Sequence, residues 1–90
     1  MSYFVYILRT SSNTLYIGQT NNLKKRIKEH EGKNSRSAKY IRYFSSFELV
    51  YNETFLSRKE AVKREYEMKQ WTKAKKEELI TANAVLEKKL

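Results

Sequence analysis

The segment Tyr3 to Arg9 reads YFVYILR, with Tyr3, Val5 and Ile7 on one face and Phe4, Tyr6 and Leu8 on the other. Successive side chains of a strand point to opposite faces. A strand that is apolar on both faces needs cover on both. Its β-branched and aromatic residues suit a pleated sheet. This segment therefore predicts a central strand, with other elements packed above and below it. The chain has 90 residues, enough for one domain and one modest core.

The rest of the chain supplies the cover. Thr10-Ser11-Ser12-Asn13 is turn chemistry. Thr14 to Gly18 returns as a second strand and completes an antiparallel hairpin. Gly18 is expected to end it, where the backbone bends sharply or approaches a ligand. Asn21 or Asn22 can cap a first helix from about Asn22 to Glu31, with Leu23 and Ile27 as its buried stripe. Gly32 is expected to stop it. Lys33 to Ser46 shows no clean period and reads as loop, with one helical turn near Ala38 to Arg42. Phe47 to Thr54 reads as a third strand, in which Phe47, Leu49 and Tyr51 alternate with Glu48, Val50 and Asn52. Ser57 and Glu60 form a capping box that opens a second helix running to about Trp71. Thr72 can cap a third, Lys73 to Ile80. The expectation is an α+β fold in the order β-β-α-β-α-α: a small three-stranded, mostly antiparallel sheet with helices packed on it. One domain is expected over 1–82, with 83–90 as a frayed helical tail.

Composition excludes several classes. There is no Cys, so disulfides and thiolate metal sites are out, and a cytoplasmic location fits. No apolar run approaches the roughly 18 residues of a membrane span, and no signal-peptide pattern is present. No membrane partner and no small-molecule cofactor are expected. The net charge is +9, and the excess is uneven. Between Lys24 and Arg42, eight Lys and Arg stand against Glu29 and Glu31, a local net of +6. Such a field attracts polyanions. A plain solvated face is the simpler account. Tyr40 and Tyr43 inside the basic run favour nucleic acid, because aromatics serve bases as cations serve phosphates. Lys24, Lys25, Lys28, Lys33, Arg36, Lys39, Tyr40 and Arg42 are the candidate contacts.

The chemistry concentrates in two places. Thr14 to His30 places Tyr16, Arg26 and His30 near one another, with Arg26 and His30 one helical turn apart. A phenol, a guanidinium and an imidazole are suitable equipment for work on a phosphodiester. The lone His, without Cys or Asp, makes a protein-only zinc site implausible. In the second helix, Ala61, Val62, Tyr66 and Met68 set an apolar arc. At about 100° per residue, Glu65 falls inside it, and so does Lys69. An inward carboxylate is costly unless paired or bound to a metal. A Glu65–Lys69 pair is one solution. The other is a carboxylate that lines a cleft and holds Mg²⁺ together with substrate phosphate oxygens and water.

Val5-Tyr6-Ile7, then Tyr16-Ile17-Gly18, then Arg26, His30 and Glu65 resemble the GIY-YIG nuclease superfamily, most closely its small stand-alone bacterial proteins. Val5 stands where the family name has Gly; the second motif is present as Tyr-Ile-Gly. The resemblance extends from Tyr3 to about Ile80. It implies a metal-dependent endonuclease that cuts a DNA phosphodiester in one step. Tyr6 and Tyr16 would line the site, one as general base or as orienter of the attacking water. Arg26 would hold the scissile phosphate, His30 would carry a proton, and Glu65 would bind one Mg²⁺ or Mn²⁺. Several members carry an Asn after the catalytic Glu; here the position twelve past Glu65 is Glu77, so that role is not carried over.

Three functions compete at this level. The first is an endonuclease for damaged, branched or otherwise unusual DNA. The second is a basic nucleic-acid-binding module with the same fold and little or no turnover. The third is an interaction protein that uses the basic face for another partner. The Tyr, Arg and Glu set favours the first.

Overall fold

The computed structural model describes residues 2–32 and 46–89, with side chains described at 2–30 and 46–83. Three strands and three helices follow in the order expected. They are β1 (Tyr3–Thr10), β2 (Leu15–Thr20), α1 (Leu23–Gly32), β3 (Phe47–Phe55), α2 (Arg58–Lys69) and α3 (Lys73–Lys89). The strands form one sheet in the order β2-β1-β3, and both pairings are antiparallel.

The two-faced strand is central, as its pattern requires. Val5, Ile7 and Ile17 pack with Ala61, Met68 and Ile80 from the later helices. Tyr6 and Leu8 pack on the opposite face with Tyr16, Leu23, Ile27 and Phe47. So α1 covers one side of the sheet, and α2 and α3 cover the other. Val5 to Leu8 are each no more than 1% exposed. Burying a side chain of this size stabilises by about 1.5–3 kcal/mol, so β1 is the fold's main apolar anchor.

Local chemistry sets the element ends. In the hairpin, Thr10 N donates to Thr14 O and Asn13 N to Thr10 O, both at 2.9 Å. Asn13 closes the turn at φ 64, a left-handed conformation that Asn tolerates better than most residues. Asn22 caps α1 by accepting from Lys25 N at 3.1 Å. Ser57 caps α2: its Oγ accepts from Glu60 N at 3.2 Å, and the Glu60 carboxylate turns back to the Ser57 hydroxyl, accepting at 3.2 Å. Thr72 Oγ1 accepts from Lys75 N at 3.2 Å and opens α3.

Several expectations are corrected. β2 does not end at Gly18; it pairs with β1 as far as Thr20. Gly32 is the last residue of α1 rather than the one after it. α2 ends at Lys69, with Gln70 as its cap, short of Trp71. α3 does not stop at Ile80 but runs to Lys89. The simple alternation of β3 is broken by a bulge. Ile7 faces Tyr51 and Leu8 faces Leu49, so Val50 is the extra residue. Val50 and Tyr51 consequently both pack on the Val5–Ile7 face. The apolar arc of α2 is also different. Its buried residues are Ala61 and Met68, whereas Val62 and Tyr66 are 41% and 68% exposed. The inward stripe is Ala61, Arg64, Glu65 and Met68, a helical i, i+3, i+4, i+7 set with two charged residues at its centre. The helical turn expected near Ala38 to Arg42 lies outside the described residues.

Candidate active site

Tyr6 is the centre of the site. It projects from β1 toward α1 and is 1% exposed. The phenol fits because its cross-strand neighbour is Gly18. A Cβ at residue 18 would stand 2.5 Å from Tyr6 Cζ and closer still to the hydroxyl. The glycine therefore makes room for this ring rather than for a turn or a ligand. Burial and the neighbouring Tyr16 push the Tyr6 pKa up to about 12, and the Arg26 guanidinium pulls it the other way.

The Tyr6 hydroxyl lies 3.1 Å from His30 Nε2. His30 is fully buried. Burial first, then the positive Arg26, lowers its pKa from 6.5 to about 4, so the ring is neutral at pH 7. A neutral ring has one accepting nitrogen. With the ring proton on Nδ1, the Tyr6 hydroxyl donates to Nε2. Tyr16 and Phe47 meet His30 edge-on, with ring centroids 5.8 and 6.0 Å away. Tyr6 and Tyr16 are 6.4 Å apart, centroid to centroid. The solvated histidine that a helix end suggests is thus a buried ring inside an aromatic cluster.

Charge reaches this cluster from both sides of the sheet. Arg26 comes from α1, and its charge lowers the pKa of both phenols. It also lies 3.6 Å from Glu29. Glu65 comes from α2, and its charge raises both. For Tyr16 the net shift is upward, with burial as its main cause. The Glu65 side chain is 21% exposed, and Lys69 Nζ lies 3.6 Å from its Oε2, so the i,i+4 pair is present. Tyr6, Tyr16 and His30 therefore form one cluster, with Arg26 and Glu65 close enough for their charges to act on both phenols.

Of the expected nucleic-acid contacts, Lys24, Lys25 and Lys28 are exposed on α1. Lys33, Arg36, Lys39, Tyr40 and Arg42 lie outside the described residues. Among the described residues no group of three or more His, Cys, Asp or Glu converges. Glu65 offers one half-sheltered carboxylate. That fits a hard cation sharing its shell with phosphate oxygens and water, and does not fit a closed all-protein cage.

A supporting network behind the site was missed in the sequence. Arg64 Nε and Nη2 donate to Glu53 Oε1 and Oε2 at 2.8 and 3.0 Å, and the Tyr51 hydroxyl donates to Oε2 at 2.6 Å. The Arg64 guanidinium also lies over the Trp71 ring at 4.9 Å. This network ties β3 to α2, next to Glu65. Its signal was available: Glu53 lies two residues past Tyr51 and so shares that residue's face of the strand.

The fold and the gathered side chains define a class. Residues 2–78 match the GIY-YIG catalytic domain, and the chain belongs to that family and has its nuclease fold. Its relatives include UPF0213 protein CPE1444 of Clostridium perfringens, 44% identical over 84 residues, which are 93% of this chain and 88% of that protein. A UPF0213 protein of Bacillus velezensis is 45% identical over 80 residues, 88% of this chain and 78% of that one. The solution NMR structure of UPF0213 protein BH0048 from Bacillus halodurans superposes with a TM-score of 0.59 at 38% identity, covering 91% of this chain and 85% of that one. The chain is thus similar to small UPF0213 proteins over most of its length and most of theirs.

Proposed function

We propose that the protein is a metal-dependent endodeoxyribonuclease that acts in the cytoplasm on phosphodiester bonds of damaged or branched DNA. One observation carries this reading. Tyr6, Tyr16 and His30 form one ring cluster with the Tyr6 hydroxyl 3.1 Å from His30 Nε2, and the charges of Arg26 from α1 and Glu65 from α2 reach both phenols. Family membership and the exposed lysines of α1 support it.

Each side chain has a role in this reading. Arg26 holds the non-bridging oxygens of the scissile phosphate with its planar fork and offsets the charge that grows there. Tyr16, half-buried at the mouth, orients the attacking water. Tyr6 is too weak an acid to act as a standing phenolate at neutral pH. It serves instead to position: its own proton is directed to His30 Nε2, so the Tyr6 oxygen can accept a hydrogen bond from the attacking water. Glu65 would hold the Mg²⁺ or Mn²⁺, which supplies Lewis-acid charge at the phosphate when bound.

The Lys69 ammonium beside Glu65 favours one competing reading, a DNA-binding module with little or no turnover, because it neutralises the carboxylate a cation would need. Cleavage of a panel of nicked, flapped, abasic and four-way DNA with Mg²⁺ or Mn²⁺ separates the two. The nuclease reading predicts cutting of at least one structure by wild type and loss of it in Glu65→Ala, with DNA binding kept. Binding by wild type without cutting anywhere would establish the module instead.

A further inference from the structure

We infer that Lys69 and Lys76 form a second phosphate-binding subsite, which holds a backbone phosphate of the same DNA strand beside the scissile one. This rests on the nuclease reading above for its substrate class, but its evidence is separate. A shallow cavity of about 230 Å³ opens along β2, lined by Leu15, Tyr16, Ile17, Lys69 and Lys76. It shares Tyr16 with the aromatic cluster around His30. Lys69 lies one helical turn beyond Glu65. The subsite and the candidate active site are therefore contiguous.

The local charge is unbalanced in the sense a phosphate needs. Glu77, next to Lys76 in the chain, is engaged: it accepts from Arg9 at 2.8 and 2.6 Å. Among the described residues, the ion pairs leave Lys76 with no carboxylate. Lys69 has only Glu65, at 3.6 Å and with its own side chain 53% exposed. A loose pair with so exposed a lysine is weak, so a phosphate can draw the ammonium away. That movement frees Glu65, and it links the arrival of substrate to the release of the carboxylate.

The subsite also gives the strand a direction. Lys24, Lys25 and Lys28 lie on α1, on one side of the sheet, while Lys69 and Lys76 lie on the other. Among the described residues, β2, which carries Tyr16, is an edge strand paired with β1. A strand touching both groups of lysines must cross the β2 edge, over Tyr16. Only a flexible or opened backbone follows such a path easily, which suits branched or damaged DNA better than intact duplex.

Binding of labelled flapped DNA, followed by anisotropy in EDTA over a salt series, tests this without cleavage. The proteins compared are wild type, Lys76→Gln, Lys69→Gln/Lys76→Gln, and a charge-matched control, Lys59→Gln/Lys63→Gln, on the exposed side of α2. One lost phosphate contact lowers the log–log salt slope by about 0.9. The expected result is that loss in the Lys69/Lys76 double variant, part of it in Lys76→Gln, and a much smaller change in the control, with melting temperatures alike. Equal slopes for the two double variants would overturn the subsite, as would wild type failing to bind. The two readings fail separately. A lysine-specific slope in a protein that never cuts DNA keeps the subsite and removes the nuclease. Cutting by wild type with equal slopes does the reverse.

Discussion

His30 is the chain's only imidazole, so its titration can be followed by NMR without assignment ambiguity. It should titrate near pH 4, where its buried ring finally accepts a proton, and not near the ordinary 6.5. The stability consequence has a definite sign. Between those two pH values the unfolded chain binds a proton that the folded chain refuses. Stability is therefore fully present above about pH 6.5 and falls as the pH drops toward 4. The loss should be on the order of 3 kcal/mol. Urea melts across this range would show it as a falling midpoint; a flat midpoint with an ordinary titration would place the ring in water. Gly18 offers a second check. Tyr6 is buried and stiff, so it cannot swing away from an added methyl. Gly18→Ala should cost about 1–3 kcal/mol, as overpacking does, and should disturb the Tyr6–His30 hydrogen bond. A melting temperature equal to that of wild type would contradict this. At this scale the sequence named residues that the fold brings near one another, but not their surroundings. Spacing put Arg26 and His30 together on one face of the helix, yet only the cross-strand register shows that Gly18 exists for Tyr6.

At the scale of elements, α2 is held by polar chemistry at both its start and its centre. Ser57→Ala removes the cap at Glu60 N and should cost about 1 kcal/mol. Glu53→Ala should cost more, about 1–3 kcal/mol, because it strands the partly buried Arg64 guanidinium without its carboxylate. Chemical denaturation of both variants gives the ranking, and a reversed order would mean that the Glu53 network is incidental. These elements also show where legibility ends. Caps and turns are local, so Asn22, Ser57 and Thr72 could be read directly. The β3 bulge is not local: it depends on how Tyr51 and Leu49 meet β1, and nothing within the strand announces Val50 as the extra residue. The inward face of α2 was misjudged for a related reason. Val62 and Tyr66 are apolar, but the sheet is met by the stripe that carries Arg64 and Glu65. Tertiary demand for a polar network outweighed simple hydrophobic patterning.

At the scale of the molecule, the central strand dictated the layers, and its two apolar faces made them legible from Tyr3 to Arg9 alone. The sharing of one site by opposite faces was not legible, since it needs α1 and α2 to approach the same phenols from opposite sides of the sheet. That convergence is the central claim, and Arg26 is the residue on which it turns. As a solvated helix residue, Arg26 would tolerate alanine with a change below about half a kcal/mol and no other consequence. As the clamp on the scissile phosphate it has no substitute, because a lysine cannot reproduce the planar fork. The most direct measurement is the single-turnover cleavage rate of Arg26→Ala, beside Arg26→Lys and wild type, on whichever DNA structure wild type cuts. The rate should fall roughly 10²-fold or more in the alanine variant, and lysine should restore only part of it. Melting temperature and DNA affinity should stay near those of wild type. Equal cleavage by Arg26→Ala and wild type, in preparations free of contaminating nuclease, would remove Arg26 from the site and contradict the account.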